Sequence, residues 1–82
     1  MLDEENYRYI ENGETVNLTR METRILAILI RNKGRIVRHQ EMEEELYKRV
    51  YDNHMIIRNH ISRMRKKLKL DIKNKRQIGY YL

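Results

Sequence analysis

The segment from residue 54 to residue 69 reads HMIIRNHISRMRKKLK. Its apolar residues recur at i, i+4, i+7 and i+11, the spacing of one narrow helical face: Ile57, Ile61, Met64 and Leu68. This spacing predicts a helix from about His54 to Lys69 that attaches to a core by that face. The other positions carry cations and small hydrogen-bonding groups, namely Arg58, Asn59, Ser62, Arg63, Arg65, Lys66 and Lys69.

The basic side of this helix has the chemistry that recognition of double-stranded DNA requires. An arginine can donate two hydrogen bonds to guanine O6 and N7, an asparagine can pair with adenine, and neighbouring cations neutralise phosphates. The major groove of B-form DNA is ~12 Å wide and accepts one helix. A merely solvated basic face is the alternative, but glutamate is absent from residues 46–82, whereas a solvated helix normally mixes charges of both signs.

Charge is distributed unevenly along the chain. Residues 1–45 carry 7 basic and 10 acidic side chains, a net charge of −3. Residues 46–82 carry 11 basic and 2 acidic side chains, a net charge of +9, so the whole chain has a formal charge of +6. This asymmetry favours a polyanionic partner, either nucleic acid or an anionic membrane surface, over a role in solubility alone.

Length and composition exclude several classes of protein. The chain has 82 residues without proline or an internal repeat, which predicts a single domain over residues 1–82. No run approaches the roughly 18 apolar residues of a membrane span, and the acidic N-terminal sequence predicts no secretory signal. Because cysteine is absent, disulfides, thiolate metal sites and a cysteine nucleophile are excluded.

The N-terminal part predicts a hairpin followed by a helix. Two strands are expected within residues 7–18, joined at Asn12-Gly13, because this pair supplies the positive φ angles of a tight turn. Thr19 and Glu22 form a Thr-x-x-Glu capping box, which predicts the start of a helix over about residues 20–32. This helix is expected to be the most buried one, with an apolar face made of Met21, Ile25, Leu26, Ile28, Leu29 and Ile30.

The middle of the chain predicts a second, more acidic helix. Gly34 is expected to be the left-handed cap that ends the first helix, and Ile36-Val37 predicts a very short strand. The second helix is expected over about residues 38–49, with inward side chains at Met42, Leu46 and Val50. Four glutamates are expected in water: Glu41, Glu43, Glu44 and Glu45. Turn chemistry follows, with Asp52 or Asn53 as the expected cap of the basic helix.

The C-terminal segment, residues 72–82, predicts a closing β-hairpin with a cationic middle. Its central residues are Lys73, Asn74, Lys75, Arg76 and Gln77. An arginine at a hairpin tip can enter the narrow minor groove, where the negative potential attracts cations, and a solvated turn is the alternative. Of Tyr80 and Tyr81, one is expected to pack inward and one to face solvent or phosphate. The predicted order is strand, strand, helix, helix, helix, hairpin, which is an α+β fold.

Three motifs together resemble one family of DNA-binding domains. They are Val16-Asn17-Leu18-Thr19 followed by Glu22, the string Ile61-Ser62-Arg63-Met64-Arg65-Lys66-Lys67-Leu68, and Ile78-Gly79-Tyr80. Over residues 7–82 the chain is similar to the OmpR/PhoB-type winged-helix domains, the output half of many bacterial two-component response regulators. The resemblance implies a winged helix-turn-helix, with a small N-terminal antiparallel sheet, a three-helix bundle and a C-terminal wing. It implies sequence-specific binding of double-stranded DNA for transcriptional regulation in the cytoplasm, without a cofactor.

The resemblance also assigns roles to single residues. Base contacts are implied for Arg58, Asn59 and Arg63 in the major groove and for Arg76 in the minor groove. Phosphate contacts are implied for Tyr47, His60, Ser62, Arg65 and Asn74, and the cations Lys66 and Lys75 are expected to join them. The stretch from Arg49 to Asn53 corresponds to the family's contact with RNA polymerase. A second copy on tandem half-sites is a further expected partner.

The chain departs from the family pattern in four respects. The family sheet has four strands before the first helix and only 18 residues precede Thr19, so an opening strand is expected to be missing, as is the receiver domain. The wing has Asn74-Lys75-Arg76-Gln77 in place of Thr-Val-Arg-Gly. The lost glycine predicts a different tip geometry, and Lys75 in place of valine predicts a looser or more phosphate-directed wing. Asn59 replaces a small apolar residue, which favours adenine as its base.

Other functions have weaker support from the sequence. An enzyme is not expected, because Ser62 is the only serine and no acidic dyad or glycine-rich phosphate loop is present. His39, His54 and His60 lack the spacing of metal ligands. Structured-RNA binding suits a basic helix but lacks an aromatic stacking platform. A protein-interaction module would use the acidic residues 41–45, and membrane binding is disfavoured because the apolar stripe of the basic helix is narrow.

Overall fold

The computed structural model describes residues 1–48 and 54–82 of the chain. The elements in chain order are β1 (Leu2–Asp3), β2 (Arg8–Glu11), β3 (Glu14–Asn17), α1 (Arg20–Arg31), β4 (Val37–Arg38), α2 (His39–Tyr47), α3 (Met55–Lys67), β5 (Lys73–Lys75) and β6 (Gly79–Tyr81). Strands β1, β2 and β3 form one antiparallel sheet in that order, and a second antiparallel sheet has the order β4, β6, β5. The three helices complete the predicted α+β winged helix-turn-helix.

The N-terminal sheet confirms the predicted hairpin and adds a strand to it. Asn12 and Gly13 have φ angles of 50° and 79°, as a tight Asn-Gly turn requires. The sequence pattern does not predict β1, because two residues are too few to show alternation. An ion pair supports that strand: Arg8 Nη2 donates to Asp3 Oδ2 at 2.8 Å and holds the pKa of Asp3 at about 2. Three strands therefore precede α1, one fewer than the family pattern.

Helix α1 begins as predicted, but its C-cap is Asn32, so the expectation that Gly34 is the cap is wrong. The Thr19 hydroxyl accepts a hydrogen bond from the Glu22 N–H at 3.1 Å, and the Glu22 carboxylate accepts one from the Thr19 N–H at 2.8 Å. The capping box is therefore formed. At the other end, the Asn32 side chain donates to a carbonyl of the last turn at 2.7 Å, and Gly34 lies in the turn beyond with a φ of 92°. Ile30, expected on the apolar face, is 39% exposed.

One apolar core joins the three helices and the second sheet. The predicted apolar face of α3 lies in it, since Ile57, Ile61 and Met64 are 0% exposed and Leu68 is 5% exposed. Burial of each such side chain stabilises the fold by roughly 1.5–3 kcal/mol, so α3 has one strongly preferred orientation. The core comprises Leu18, Ile25, Leu26, Ile28, Leu29, Val37, Met42, Leu46, Ile57, Ile61, Met64, Leu68, Ile72 and Tyr80.

Helix α2 corrects one expectation about the acidic residues. Glu43 is 0% exposed, so its predicted position in water is wrong. It lies four residues after His39 and three before Leu46, which places it on the inward side of the helix. Its carboxylate is accommodated there because it contacts the ring of His54 at the start of α3. The expected inward Val50 and the expected caps at positions 52 and 53 lie outside the described residues.

The second sheet shows why the chain has glycine before its paired tyrosines. The predicted short strand is present as β4, which pairs with β6 so that Arg38 stands opposite Gly79. A Cβ atom on Gly79 would lie 1.9 Å from the carbonyl oxygen of Val37, so another residue would push the two strands apart. The tyrosines divide as expected, with Tyr80 buried at 4% exposure and Tyr81 half-buried.

Candidate nucleic-acid interface

Helix α3 turns its cationic side chains away from the core. We call the exposed set the basic face; it consists of Arg58, Asn59, Ser62, Arg63 and Lys66. Across residues 1–48 and 54–82, no carboxylate forms an ion pair with Arg58, Arg63 or Lys66. Within this part of the chain, these three charges are therefore unpaired and available to an anionic partner.

Two further lysines, Lys67 in the last turn of α3 and Lys69 just beyond it, pair with carboxylates of the protein instead. Lys67 Nζ lies 2.7 Å from Oε1 of Glu22, a carboxylate that is only 1% exposed. Lys69 Nζ lies 3.4 Å from the exposed Glu14. These contacts tie the end of the helix to α1 and to the N-terminal sheet, so the end of the helix contributes to the protein's own packing.

A polar groove separates α3 from the wing, which we define as residues 73–81. The groove has a volume of about 480 Å³. Three arginines line it, two from α3 and one from the wing, and none of its lining residues is acidic. The groove is therefore electropositive on both sides. The lining residues are His39, Arg58, Arg65, Asn74, Arg76, Gln77 and Tyr80.

Arg65 connects α3 to the wing. Its Nε and Nη2 atoms donate hydrogen bonds to the Ile72 carbonyl at 2.9 and 2.6 Å. Its guanidinium carbon lies 5.8 Å from the centroid of the Tyr80 ring, which is a cation–π contact. A guanidinium has five N–H groups, so Arg65 retains donors that are free for its predicted phosphate contact. The contacts with Ile72 and Tyr80 hold the plane of the guanidinium.

An acid–histidine pair holds the start of α3. The Glu43 carboxylate contacts Nδ1 of His54, and the His54 ring stacks on His39 with centroids 4.5 Å apart. Burial lowers the pKa of His39, and the charges of His54 and Arg58 lower it further. His39 is therefore neutral at pH 7, and its ring packs against the rings of His54 and Tyr80. This contact fixes α3 relative to α2, and no local sequence pattern reveals it.

The other expected contact residues lie on α2, α3 and β5. Tyr47 is half-buried in the last turn of α2, and Asn74 and Lys75 are exposed on β5. His60 is half-buried on α3, where burial and the charge of Arg63 lower its pKa. All four side chains are thus at least partly exposed to solvent.

The wing tip shows how the chain replaces the glycine of the family pattern. Gln77 has a φ of 63°, the left-handed conformation that glycine favours. The N–H of Ile78 donates to the Lys75 carbonyl at 2.9 Å and closes the turn. The tip therefore remains tight, and it presents Arg76 as an exposed side chain.

Among the described residues, no group of three or more His, Cys, Asp and Glu side chains could hold a metal ion. A search of the same residues finds no helix with the length and apolar character needed to cross a membrane.

His39 is the groove residue that sequence reasoning missed. It follows a two-residue strand, and only the packing of α2 against the wing brings it to the groove.

A three-helix core that supports a basic helix beside a cationic β-hairpin defines the class of winged-helix DNA-binding domains. The family model described as "Transcriptional regulatory protein, C terminal" matches residues 13–82. The chain belongs to this family, the OmpR/PhoB-type DNA-binding domains of response regulators. It is a sequence-specific DNA-binding domain of transcription regulation, and the family is one of transcription factors. The RNA-binding and protein-interaction alternatives receive no support.

Individual relatives agree with this assignment. A putative epidermin response regulator of Staphylococcus epidermidis is 35% identical over 88 positions, which cover 96% of this chain and 41% of the relative. The regulatory protein VanRB of Enterococcus faecalis is 34% identical over 95% of this chain and 36% of its own length. The chain thus spans about two fifths of the length of these relatives.

Solved structures show the same fold. The DNA-binding domain of Klebsiella pneumoniae RstA, in complex with the RstA box, is 28% identical to this chain, with a TM-score of 0.88. The match covers 99% of this chain and 87% of the RstA chain. The DNA-binding domain of CpxR from E. coli is 25% identical with a TM-score of 0.86 and covers 99% of this chain and 86% of its own.

Proposed function

We propose that this domain binds its DNA site with the basic face of α3 in the major groove and the wing in the adjacent minor groove. The observation that supports this most directly is that Arg58, Arg63 and Lys66 have no carboxylate partner in the described residues. A cation already paired inside the protein would have to break that pair before it could contact DNA. These three cations can contact DNA without that cost.

Four residues are proposed to contact bases. Arg58 and Arg63 carry the fork of donors that matches guanine O6 and N7, and Asn59 carries the amide that pairs with adenine. All three are exposed on α3. Arg76, exposed at the wing tip, is proposed to enter the minor groove, where a narrow groove concentrates negative potential.

The phosphate contacts are proposed to surround these base contacts. They come from α2, α3 and β5, so they would fix the orientation of the domain on the duplex without reading its sequence. His60 can donate from a neutral ring, and Arg65 can use the donors that the Ile72 carbonyl leaves free. The proposed set is Tyr47, His60, Ser62, Arg65, Lys66, Asn74 and Lys75.

The relatives suggest the wider context. Because two of them are named as regulators and are more than twice as long as this chain, we propose that the domain is the output part of a cytoplasmic response regulator. A second copy on a neighbouring half-site about one helical turn away would add affinity. RNA polymerase is the further proposed partner, through residues 49–53, which lie outside the described residues.

Two alanine variants test the proposed base readout. Arg63→Ala is expected to relax the preference at one base position and to weaken binding to the preferred site by ~1–3 kcal/mol. Lys66→Ala is expected to weaken binding to all sequences alike, because a phosphate contact carries no sequence information. Selection from a random DNA library, followed by anisotropy titration of preferred and scrambled duplexes, measures both effects.

Both variants change one exposed cation of the same helix, so each is the control for the other. If both weaken preferred and scrambled DNA by equal factors, the assignment of Arg63 to a base is wrong. If the wild-type chain binds an RNA duplex as tightly as DNA, the proposed DNA site is wrong.

A further inference from the structure

We propose that Ile56, in the first turn of α3, reads the methyl group of a thymine in the major groove and is a specificity-determining residue of this chain. The inference rests on the proposed function, because it takes the basic face of α3 to lie in that groove. It assigns a DNA contact to an apolar side chain, whereas the contacts proposed above all come from polar or cationic side chains.

The position of Ile56 on the helix is the first argument. It is 39% exposed, whereas the next residue, Ile57, is 0% exposed. Residues three, four or seven apart share one side of a helix, so Ile56 lies in line with Asn59 and Arg63. At 1.5 Å per residue, Arg63 lies ~10 Å further along the axis, which is about three base-pair steps. The three side chains can therefore face successive bases.

The place of Ile56 at the start of α3 is the second argument. Helix α3 begins at Met55, so Ile56 is its second residue. In helix-turn-helix proteins the N-terminal residues of the recognition helix are the ones that contact base edges. An exposed isoleucine alone indicates little, because single exposed apolar side chains are common. This one stands in a row of cations and amides that is proposed to enter the groove.

The chemistry of the side chain selects the base. Isoleucine has only methyl and methylene groups, and the one apolar group that the major groove presents is the C5-methyl of thymine. The other base edges present donors and acceptors, which would lose their water against Ile56 without gaining a hydrogen bond. Ile56 is therefore expected to favour thymine and to disfavour a polar edge.

The experiment removes the thymine methyl group from the DNA and the apolar side chain of Ile56 from the protein, one at a time. DNA sites are first selected from a random library with the wild-type chain, and each thymine is then replaced singly by deoxyuridine, which lacks only the C5-methyl. One replacement is expected to weaken wild-type binding about fourfold, the effect of one apolar carbon removed from water. In Ile56→Ala the same replacement is expected to change nothing further, and selection with this variant no longer enriches thymine at that position.

Two variants serve as controls. Ile56→Val keeps a branched apolar side chain and is expected to keep the response to deoxyuridine. Ile30→Ala removes an isoleucine with the same 39% exposure from α1, where it lines a different groove with Leu2 and Leu82, and is expected to leave the response unchanged. Circular dichroism of each variant reports whether the helices are intact.

The outcomes separate the inference from the proposed function. If Ile56→Ala keeps the wild-type response at every thymine, or if the wild-type chain responds to no deoxyuridine, the inference is overturned and the DNA site stands. If selection with the wild-type chain yields no preferred sequence at all, the proposed base readout is overturned and the inference with it.

Discussion

Glu22 is an acidic side chain that the fold places in its core. It is 1% exposed, and its Oε1 atom accepts hydrogen bonds from the Thr19 N–H at 2.8 Å and from Lys67 Nζ at 2.7 Å. Burial raises the pKa of this carboxyl, but the hydrogen bonds from Lys67 and Thr19 lower it more, so the pKa lies below the ordinary value of 4.5. One carboxylate thus caps α1 and anchors the end of α3.

The lowered pKa of Glu22 predicts how stability responds to acid. A carboxyl with a lowered pKa in the folded state stabilises the fold above pH 4.5, and this contribution is lost as the pH falls through the folded-state pKa. Glu22→Gln keeps a capping acceptor but removes the charge. We expect it to lower the free energy of unfolding by about 1–2 kcal/mol at pH 7 and to flatten the decline of that free energy as the pH falls below the ordinary carboxyl pKa of 4.5.

Urea denaturation at a series of pH values measures this effect. Glu44→Gln is the matched control, because Glu44 is exposed on α2, and we expect wild-type behaviour from it. A Glu22→Gln variant with wild-type stability at pH 7 and an unchanged acid profile would contradict the role given to the buried carboxylate.

The wing is attached to α3 partly through one side chain, Arg65. Strands β5 and β6 make a two-stranded ribbon, and β4 adds only two residues to it. Arg65 joins this ribbon to α3 through the Ile72 carbonyl and the Tyr80 ring. Ile72 and Tyr80 also pack in the core, so Arg65 acts together with that packing to hold the tip at Arg76 relative to the basic face. In the proposed complex the basic face and the tip occupy adjacent grooves of one duplex.

This arrangement predicts that Arg65 and Arg76 act together on DNA. Arg76→Ala is expected to weaken binding strongly in the wild-type background and much less in an Arg65→Ala background, because a loosened wing no longer holds Arg76 in the minor groove. The coupling free energy is expected at about 0.5–3 kcal/mol, the range of residues that share one contact network. Dissociation constants of the two single variants and the double variant give it directly.

The control is a second double-mutant cycle, in which Lys66→Ala takes the place of Arg65→Ala and is again combined with Arg76→Ala. Lys66 suits this purpose because it is an exposed cation of α3 without a contact to the wing among the described residues. The changes in binding free energy caused by Lys66→Ala and by Arg76→Ala are expected to add in the double variant. If the effects of Arg65→Ala and Arg76→Ala also add, Arg65 acts only as a phosphate contact.

At the scale of the whole molecule, the charge distribution predicts a strong dependence on salt. Six cations are proposed to lie against the DNA: Arg58, Arg63, Arg65, Lys66, Lys75 and Arg76. Neutralisation of roughly 5–6 phosphates by them would give a slope of log affinity against log salt near −5. Lys66→Ala is expected to reduce the magnitude of that slope by about 1, because one fewer counterion is released.

Titrations between 50 and 300 mM salt on one duplex measure the slope. Lys33→Ala removes an exposed cation from the turn after α1 and is expected to leave the slope unchanged. A slope near zero for the wild-type chain would contradict phosphate contacts as the main source of affinity.

Much of this molecule follows from patterns that a few consecutive residues contain. The helical spacing of Ile57, Ile61 and Met64 predicts both α3 and its orientation, and the capping box and the Asn-Gly turn predict the elements that precede it. These features are local, because a helix and a tight turn satisfy their hydrogen bonds within the segment that forms them. The basic face of α3 is predictable for the same reason, since burying one side exposes the other.

The remaining features depend on contacts between segments distant in the chain. The sequence by itself determined the three helices, the hairpins and the cationic side chains offered to DNA. Only the tertiary structure decided that Glu43 is buried against His54, that His39 lines the groove, and that Arg65 holds the wing. Those outcomes depend on which charges and rings meet after the core forms, because a polar side chain is buried only where another segment supplies its hydrogen-bond partner.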